Sequence, residues 1–559
     1  MRHRRCGNGG SGSRGADVAW SGAVSTVLPA IAPPPGVPEA PLPPRRGLRR
    51  PRVSTLVVAA ALIAILVVLC RRVGDPDFWW HMEDGSWIIN HGRLPTHELF
   101  TYTVSSKPWS DQEWGSEVLG DLIFRAGGFL AFSLVYTAVT WAGFWCIWRR
   151  MSMERVPALI AGACLVVAAL AGVAVWGPRS QMISFALLCM TLLWIEAYLR
   201  DRGRIIFFLP LVMVVWANLH GGFVYGLAAV GVAAVSESIL WAVSPADPSH
   251  RRRSLRLWLV LGACMVAALI NPLTIGAYLV AVKVETSKAQ QGFIAEWQSP
   301  NFHDPGELFL ELLLLLVVAS MALRRPRLWD ALLTLIAIYT SLASVRNAEL
   351  AVALLTPMIG WSLGGGWERS RWADRFSTWM RRRSQDVVAV VGIGTLAVAV
   401  GSVGFAANTL RSQTASTDAN FPVAAANCLA ANPTVGTRMF NAYDWGGYLI
   451  YRFFGTPQWS SRRVFIYGEA SEMGNRLLQE VSDVESPQPN WQQVINEHGV
   501  NYVIERPSSA LAVALSVDPG WKEVYNDGFA VILVKRQVLA AHPWDYAAPA
   551  CRAGTPSAA

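Results

Sequence analysis

Long apolar runs separated by short polar stretches fill the chain from residue 53 to residue 407. A helix needs about 20 apolar residues to cross the hydrocarbon core of a bilayer. On that measure the candidate spans are 53–70, 128–148, 156–176, 180–199, 205–219, 222–243, 257–282, 308–323, 328–345, 350–363 and 387–407. They predict a mainly α membrane protein with about 11 transmembrane helices. From residue 408 the pattern shortens. Strand-like runs at 437–440, 448–454, 463–467 and 500–505 alternate with helix-like stretches at 422–431, 472–484 and 491–498. A final hairpin is expected over 522–534, turning on Asn526-Asp527-Gly528. Residues 408–559 therefore read as an α/β domain.

Charge orients this pattern. Alternate loops are basic: Arg149, Arg150 and Arg155; Arg200, Arg202 and Arg204; Arg251, Arg252, Arg253 and Arg256; Arg324, Arg325 and Arg327; and a run over 369–383. The opposite loops are poor in Lys and Arg for their length. Cytoplasmic loops carry that excess, so the N-terminus is expected in the cytoplasm and the C-terminal domain outside it, in a multi-pass cell-membrane protein. Residues 1–52, rich in Gly, Ser, Pro and Arg, cannot bury a core and are expected to form a disordered basic tail. The first apolar run is longer than a signal-peptide core and ends in Arg71-Arg72 without a small-residue cleavage site. Composition agrees: 53% of residues are hydrophobic and only 16% charged, against about 25% charged in soluble domains. The net charge of +9 lies in the loops as bilayer topology requires, so no nucleic-acid partner is expected.

Two outer loops are long, 73–127 and 283–307. The first opens with Gly74-Asp75-Pro76-Asp77-Phe78-Trp79-Trp80-His81 and continues through Glu113 and Glu117. An interfacial helix pair with an aromatic belt accounts for the tryptophans, but not for two acids directly behind a span. Polar groups recur on the same side: Arg179 at the start of a span, Asn218 and His220 in the tight turn, Asn271-Pro272, Glu296-Trp297 in the second loop, and Arg346-Asn347 between two spans. Singly, each arginine fits snorkelling to the interface. Together with the acids they suit a lipid phosphate held by guanidinium groups, with a carboxylate as general base toward an acceptor hydroxyl. Tryptophan faces would carry a sugar ring or an isoprenoid chain.

These residues, with Gly92-Arg93-Leu94-Pro95, Glu113-Trp114, Asn218-Leu219-His220-Gly221-Gly222-Phe223, Ile270-Asn271-Pro272 and Phe440-Asn441-Ala442-Tyr443-Asp444-Trp445-Gly446-Gly447-Tyr448-Leu449, resemble the bacterial GT-C glycosyltransferase superfamily from about residue 55 to about residue 535. The resemblance implies a GT-C-like transmembrane domain over 53–407 and an inverting sugar transfer from a polyprenyl-phosphate sugar to an extracytoplasmic acceptor. It implies a catalytic acid in the first outer loop. Asp77 stands slightly ahead of Asp75 in that role, with Glu113 as a further acid. His81, Trp79, Trp80, Arg179, His220, Glu296 and Arg346 are the expected substrate contacts. Membrane lipid is the other expected partner. One departure concerns 464–469, Val-Phe-Ile-Tyr-Gly-Glu, where relatives often carry Asp-Gly-Arg; this puts a shared substrate contact there in doubt.

No Gly-rich phosphate loop opens a helix behind a strand, so a nucleotide-sugar site has no support. Asp444-Trp445-Gly446-Gly447-Tyr448 has the residue types to bind a sugar, but its glycines are expected rather to serve a tight turn, with the aromatics packing. The eight cysteines fit no metal spacing. A divalent metal is compatible with the acids but unsupported by ligand spacing, and the cofactor stays open. Cys428 and Cys551 are both expected outside, where a disulfide can form. A flippase for lipid-linked sugars would place charge near the bilayer midplane and often shows an internal repeat; no repeat is visible. A non-catalytic scaffold would not require the first-loop acids.

Overall fold

A computed structural model describes residues 52–554. The tail expectation for residues 1–51 lies outside the described residues.

The apolar runs form helices. Five are long and apolar enough to cross a membrane: Trp114–Met153, Gln181–Leu199, Phe223–Val243, Val345–Glu368 and Gln385–Arg411. Shorter apolar helices cover Val53–Leu69, Ala158–Ala171, Ile205–Ala217, Leu308–Met321 and Leu328–Ala343. The result is a multi-pass membrane protein. Its outward faces carry Leu211, Leu259, Val390, Leu396 and Val400, all more than 60% exposed. Water would not tolerate so continuous an apolar surface, whereas lipid does. Helix Ala348–Glu368 runs through the middle of the bundle, with Ala351, Val352, Ala353 and Leu355 fully buried. Its small residues let neighbouring backbones approach.

One expected span differs. Residues 257–282 do not form a single helix. Helix Pro248–Ala267 ends before Asn271-Pro272, Thr274 takes φ +50°, and a new helix runs Gly276–Thr286. Proline 272 supplies no N–H and disfavours a helical residue before it, which breaks the run.

At one end of the bundle the basic loops converge on buried acids. Arg327 meets Glu196 at 2.9 Å and Asp330 at 2.7 Å, and Arg200 meets Glu154 at 2.5 Å and also Glu196. Arg150, Arg200 and Arg327 all stand over the Trp361 ring, at 5.8, 5.5 and 5.1 Å.

The first long loop is two helical pieces. Helix Phe78–His91 packs against the start of Trp114–Met153, which kinks at Gly127-Gly128 before entering the bundle. The C-terminal part holds a four-stranded sheet, β1 (Met439–Asn441), β2 (Tyr502–Glu505), β3 (Trp521–Asn526) and β4 (Val531–Lys535), in the order β1-β2-β4-β3. β1 and β2 are parallel, joined through helices Ala470–Glu485 and Trp491–Glu497. The β3–β4 hairpin is as expected, its turn held by Asp527 Oδ1, which accepts from the N–H groups of Phe529 and Ala530.

Two expected strands are not strands. Residues 448–454 belong to helix Gly446–Phe453, and 463–467 carries only an isolated bridge from Val464 to Thr101. The helix packs on Phe78–His91. A Cβ on Gly447 would stand 2.5 Å from the Pro76 carbonyl oxygen. That glycine therefore serves close approach of two segments, where a tight turn was expected.

Cys428 and Cys551 form a disulfide, with Cα atoms 4.6 Å apart. It closes a loop of 123 residues. Replacing both cysteines with alanine should lower the stability of the C-terminal part by about 2–5 kcal/mol, read as an earlier unfolding transition that reductant reproduces in wild type and leaves unchanged in the double variant.

Candidate functional site

The polar residues at the other end of the bundle surround one cavity of about 340 Å³. Asp75, Asp77, Trp80, His81, Glu113, Arg179, His220, Glu296 and Arg346 all line it. These come from the first loop, the two tight inter-span turns, the second long loop and the 345–347 turn. Of the residues expected from sequence, only Trp79 is absent. It is 3% exposed and its ring packs edge-on against Phe129, Phe421 and Tyr448. Trp79 thus belongs to the apolar seam between the first loop and the C-terminal part.

The acids are held differently from one another. Asp75 Oδ1 accepts from the Asp77 N–H at 3.0 Å, and its other oxygen lies 3.6 Å from Arg179. Asp77 Oδ1 accepts from Trp80 Nε1 at 3.0 Å. Withdrawal from water, then the neighbouring Asp75 charge, push the Asp77 carboxyl up to about 7, against the opposing effect of His81. A Cβ on Gly468 would collide with Asp77 Oδ1, so any larger residue there would displace the Asp77 carboxylate. Burial alone would raise Glu113, but His220, His81 and the Ser180 hydroxyl that donates to it outweigh burial and hold its carboxyl below the ordinary range.

The cations face these acids. Arg179 lies 2.8 Å from Glu296, and Arg346 lies 3.7 Å from the other Glu296 oxygen while standing 5.3 Å over the Trp297 ring. Burial would lower Arg179, yet Glu296 and Asp75 more than reverse that, so it stays a firm cation. Its Nε is buried without a partner. His220 Nδ1 accepts from the Gly222 N–H at 2.9 Å and contacts the Ser184 hydroxyl at 2.8 Å. The ring proton therefore sits on Nε2, which lies 3.4 Å from Glu113 Oε1 without a hydrogen bond to it. Burial lowers the His220 pKa, against the opposing pull of Glu113. His81 stacks on Trp80, with centroids 3.7 Å apart, and its Nδ1 lies 2.8 Å from Glu117.

Sequence reasoning raised sugar binding at 444–448 only as the lesser reading and did not place the C-terminal part at the cavity. Tyr443, Asp444, Gly468 and Glu469 close the cavity. The Tyr443 hydroxyl donates to the Gly468 carbonyl at 3.1 Å. The stretch 440–449 carried a signal for this, and 464–469 a doubtful one. Ser180, beside Arg179, was also missed.

A second, more open cleft of about 620 Å³ adjoins the cavity and shares Asp75, Pro76, Arg179 and Glu296 with it. Val67, Val68 and Phe405 line its apolar side, and Arg71 and Arg72 stand at the same cleft.

No family model matches the chain, and no curated protein matches it. Solved structures do. The chain is similar to ArnT from Cupriavidus metallidurans bound to undecaprenyl phosphate, at 16% identity over 86% of this chain and 97% of that one, with a TM-score of 0.46. It is similar to the apo state of the same protein at 16% identity, the same coverage and a TM-score of 0.47. It is similar to arabinofuranosyltransferase AftD from Mycobacteria at 15% identity, over 86% of this chain and 40% of that one, with a TM-score of 0.40.

Proposed function

We propose that this chain is a membrane glycosyltransferase that moves a sugar from a polyprenyl-phosphate donor to a hydroxyl of an extracytoplasmic acceptor, with inversion. The observation that carries this reading is the cavity itself: an acid raised to about 7, fixed cations and a buried histidine face one another in it, and a cleft with an apolar side opens into it.

The isoprenoid chain lies along Val67, Val68 and Phe405, with its phosphate at Arg179 and Arg346. Both arginines now share Glu296, and the phosphate takes over part of that pairing. The unpartnered Arg179 Nε supplies a further donor. Asp77 accepts the proton of the acceptor hydroxyl as its oxygen bonds to the anomeric carbon. The bond from that carbon to the phosphate oxygen breaks, and polyprenyl phosphate leaves with the electron pair, its charge met by the guanidinium groups. Asp75, tied to Arg179 and to the Asp77 N–H, orients both. Tyr443, Asp444 and Glu469 face the acceptor.

The test is sugar transfer by purified protein in lipid with a panel of radiolabelled polyprenyl-phosphate sugars. Consumption of one donor supports the reading; no turnover of any donor with any hydroxyl acceptor counts against it. Within that assay Arg179→Lys should raise the donor KM about 10- to 100-fold, because a point ammonium replaces a forked guanidinium. A KM unchanged by the substitution would remove Arg179 from the donor site.

A further inference from the structure

Three buried acids beside the cavity, of which Asp111 also lines it, are the most unusual feature the mechanism leaves unused. Asp84 comes from helix Phe78–His91, Asp111 from the segment that follows it, and Glu117 from the first turn of Trp114–Met153. They are 2%, 3% and 1% exposed. Each has one oxygen held from outside the group. Asp84 Oδ2 accepts from Trp109 Nε1 at 3.2 Å, Asp111 Oδ1 accepts from the Glu113 N–H at 2.7 Å, and Glu117 Oε1 lies 2.8 Å from His81 Nδ1. Each has its second oxygen, Asp84 Oδ1, Asp111 Oδ2 and Glu117 Oε2, buried with no hydrogen-bond partner. One ligand atom from each acid can be chosen so that all lie within 4.8 Å of one another.

Buried carboxylate oxygens without donors are costly, and three of them in one place need a cation or shared protons. The geometry favours the cation. Oxygens about 2.3–2.6 Å from a calcium-sized ion stand at most about 5 Å apart, the spread seen here. The outer oxygens are already fixed by an indole, an amide and an imidazole, as ligands to a metal usually are. An all-oxygen set selects hard divalent ions. We propose that Asp84, Asp111 and Glu117 bind one divalent cation of the Mg²⁺, Ca²⁺ or Mn²⁺ class, which pins the two first-loop helices together and thereby positions His81 and Glu113. The spacing 84, 111, 117 follows no ligand motif, so only the folded chain brings the three together. The ion's role is positional, and the proposal stands apart from the sugar-transfer reading.

The test uses full-length protein in detergent, stripped with chelator and titrated with Mn²⁺, with bound ion followed by electron paramagnetic resonance and stability by thermal unfolding. Wild type should take up one Mn²⁺ per chain and unfold at a higher temperature when loaded. Asp84→Asn and Glu117→Gln should each weaken binding at least tenfold and lose the thermal gain, whereas Asp77→Asn should keep both. No bound ion in wild type, with unfolding unaffected by Mn²⁺, overturns the proposal in favour of shared protons. Loss of binding in Asp77→Asn with retention in Asp84→Asn overturns it as well, by moving the ion into the cavity. If Asp84→Asn does not fold, the wild-type stoichiometry and the Asp77→Asn result still decide.

Discussion

Asp77→Asn should reduce sugar transfer about 10²- to 10⁴-fold, the range lost when a positioned general base is removed. The amide keeps the shape and can still accept from Trp80 Nε1 through its oxygen, so folding and donor binding should survive. The pH profile identifies the base more closely. In the proposed role Asp77 acts as the carboxylate, and its pKa is raised to about 7. Activity should therefore be low at pH 6, climb through about 7 and level off above it. The groups facing Asp77 are Asp75, His81, Trp80, Glu469 and Tyr443. Burial dominates the shift, and Asp75 and Glu469 add to it. Glu469→Gln removes one of the like charges, so it should move the rising limb to lower pH without abolishing turnover. Asp75→Asn should do the same and also weaken donor binding through Arg179. If Asp77→Asn retains near-wild-type activity while Asp75→Asn loses it, the base is Asp75.

Glu196→Ala should be the most destabilising single substitution at the opposite end of the bundle. The Glu196 carboxylate is fully buried and meets both Arg200 and Arg327, while Arg150 stands beside them over Trp361. Without it, three guanidinium groups crowd one indole with only Asp330 and Glu154 left to neutralise them. Removing one partner of a buried ion network costs on the order of 3–5 kcal/mol, and the loss appears as a lower unfolding temperature in detergent. Transfer activity per folded molecule should not change, since the network lies at the far end of the bundle. Glu196→Gln should recover part of the loss through its carbonyl oxygen.

Much of this architecture was legible in the chain. Apolar runs mark the bundle because lipid demands them, and the arginines of 149–155, 200–204 and 324–327 belong at one end because they share Glu154, Glu196 and Asp330. Most of the cavity was legible too, because buried charge beside a membrane is costly and therefore conspicuous at Asp75, Arg179, His220 and Arg346. What failed was decided by packing. The run Gly446–Phe453 has strand-like composition, yet it folds as a helix because that form lays Tyr448 against Trp79 and Phe421. Trp79 reads as a substrate platform beside an acid until its neighbours are known. Asp84 gave no signal and Asp111 only that of one acid among many in the first loop, since their meaning arises only when two helices and a loop meet.

The joining of Asp77 to Gly468 and of Trp79 to Tyr448 also has a consequence for how the molecule is made. Ribosomes add about 5–20 residues per second, so roughly 20–80 s separate the synthesis of the first loop from that of the segment that covers it. During that interval Trp79 and Trp80 lack their partners Phe421, Tyr448 and Tyr467, and the cavity lacks a wall. Termination between the last span and residue 468 would leave the bundle's acids in place but the cavity open to water. A nascent chain of this protein is a target for chaperones that shield aromatic surface, and it gains its chemistry only with its last quarter.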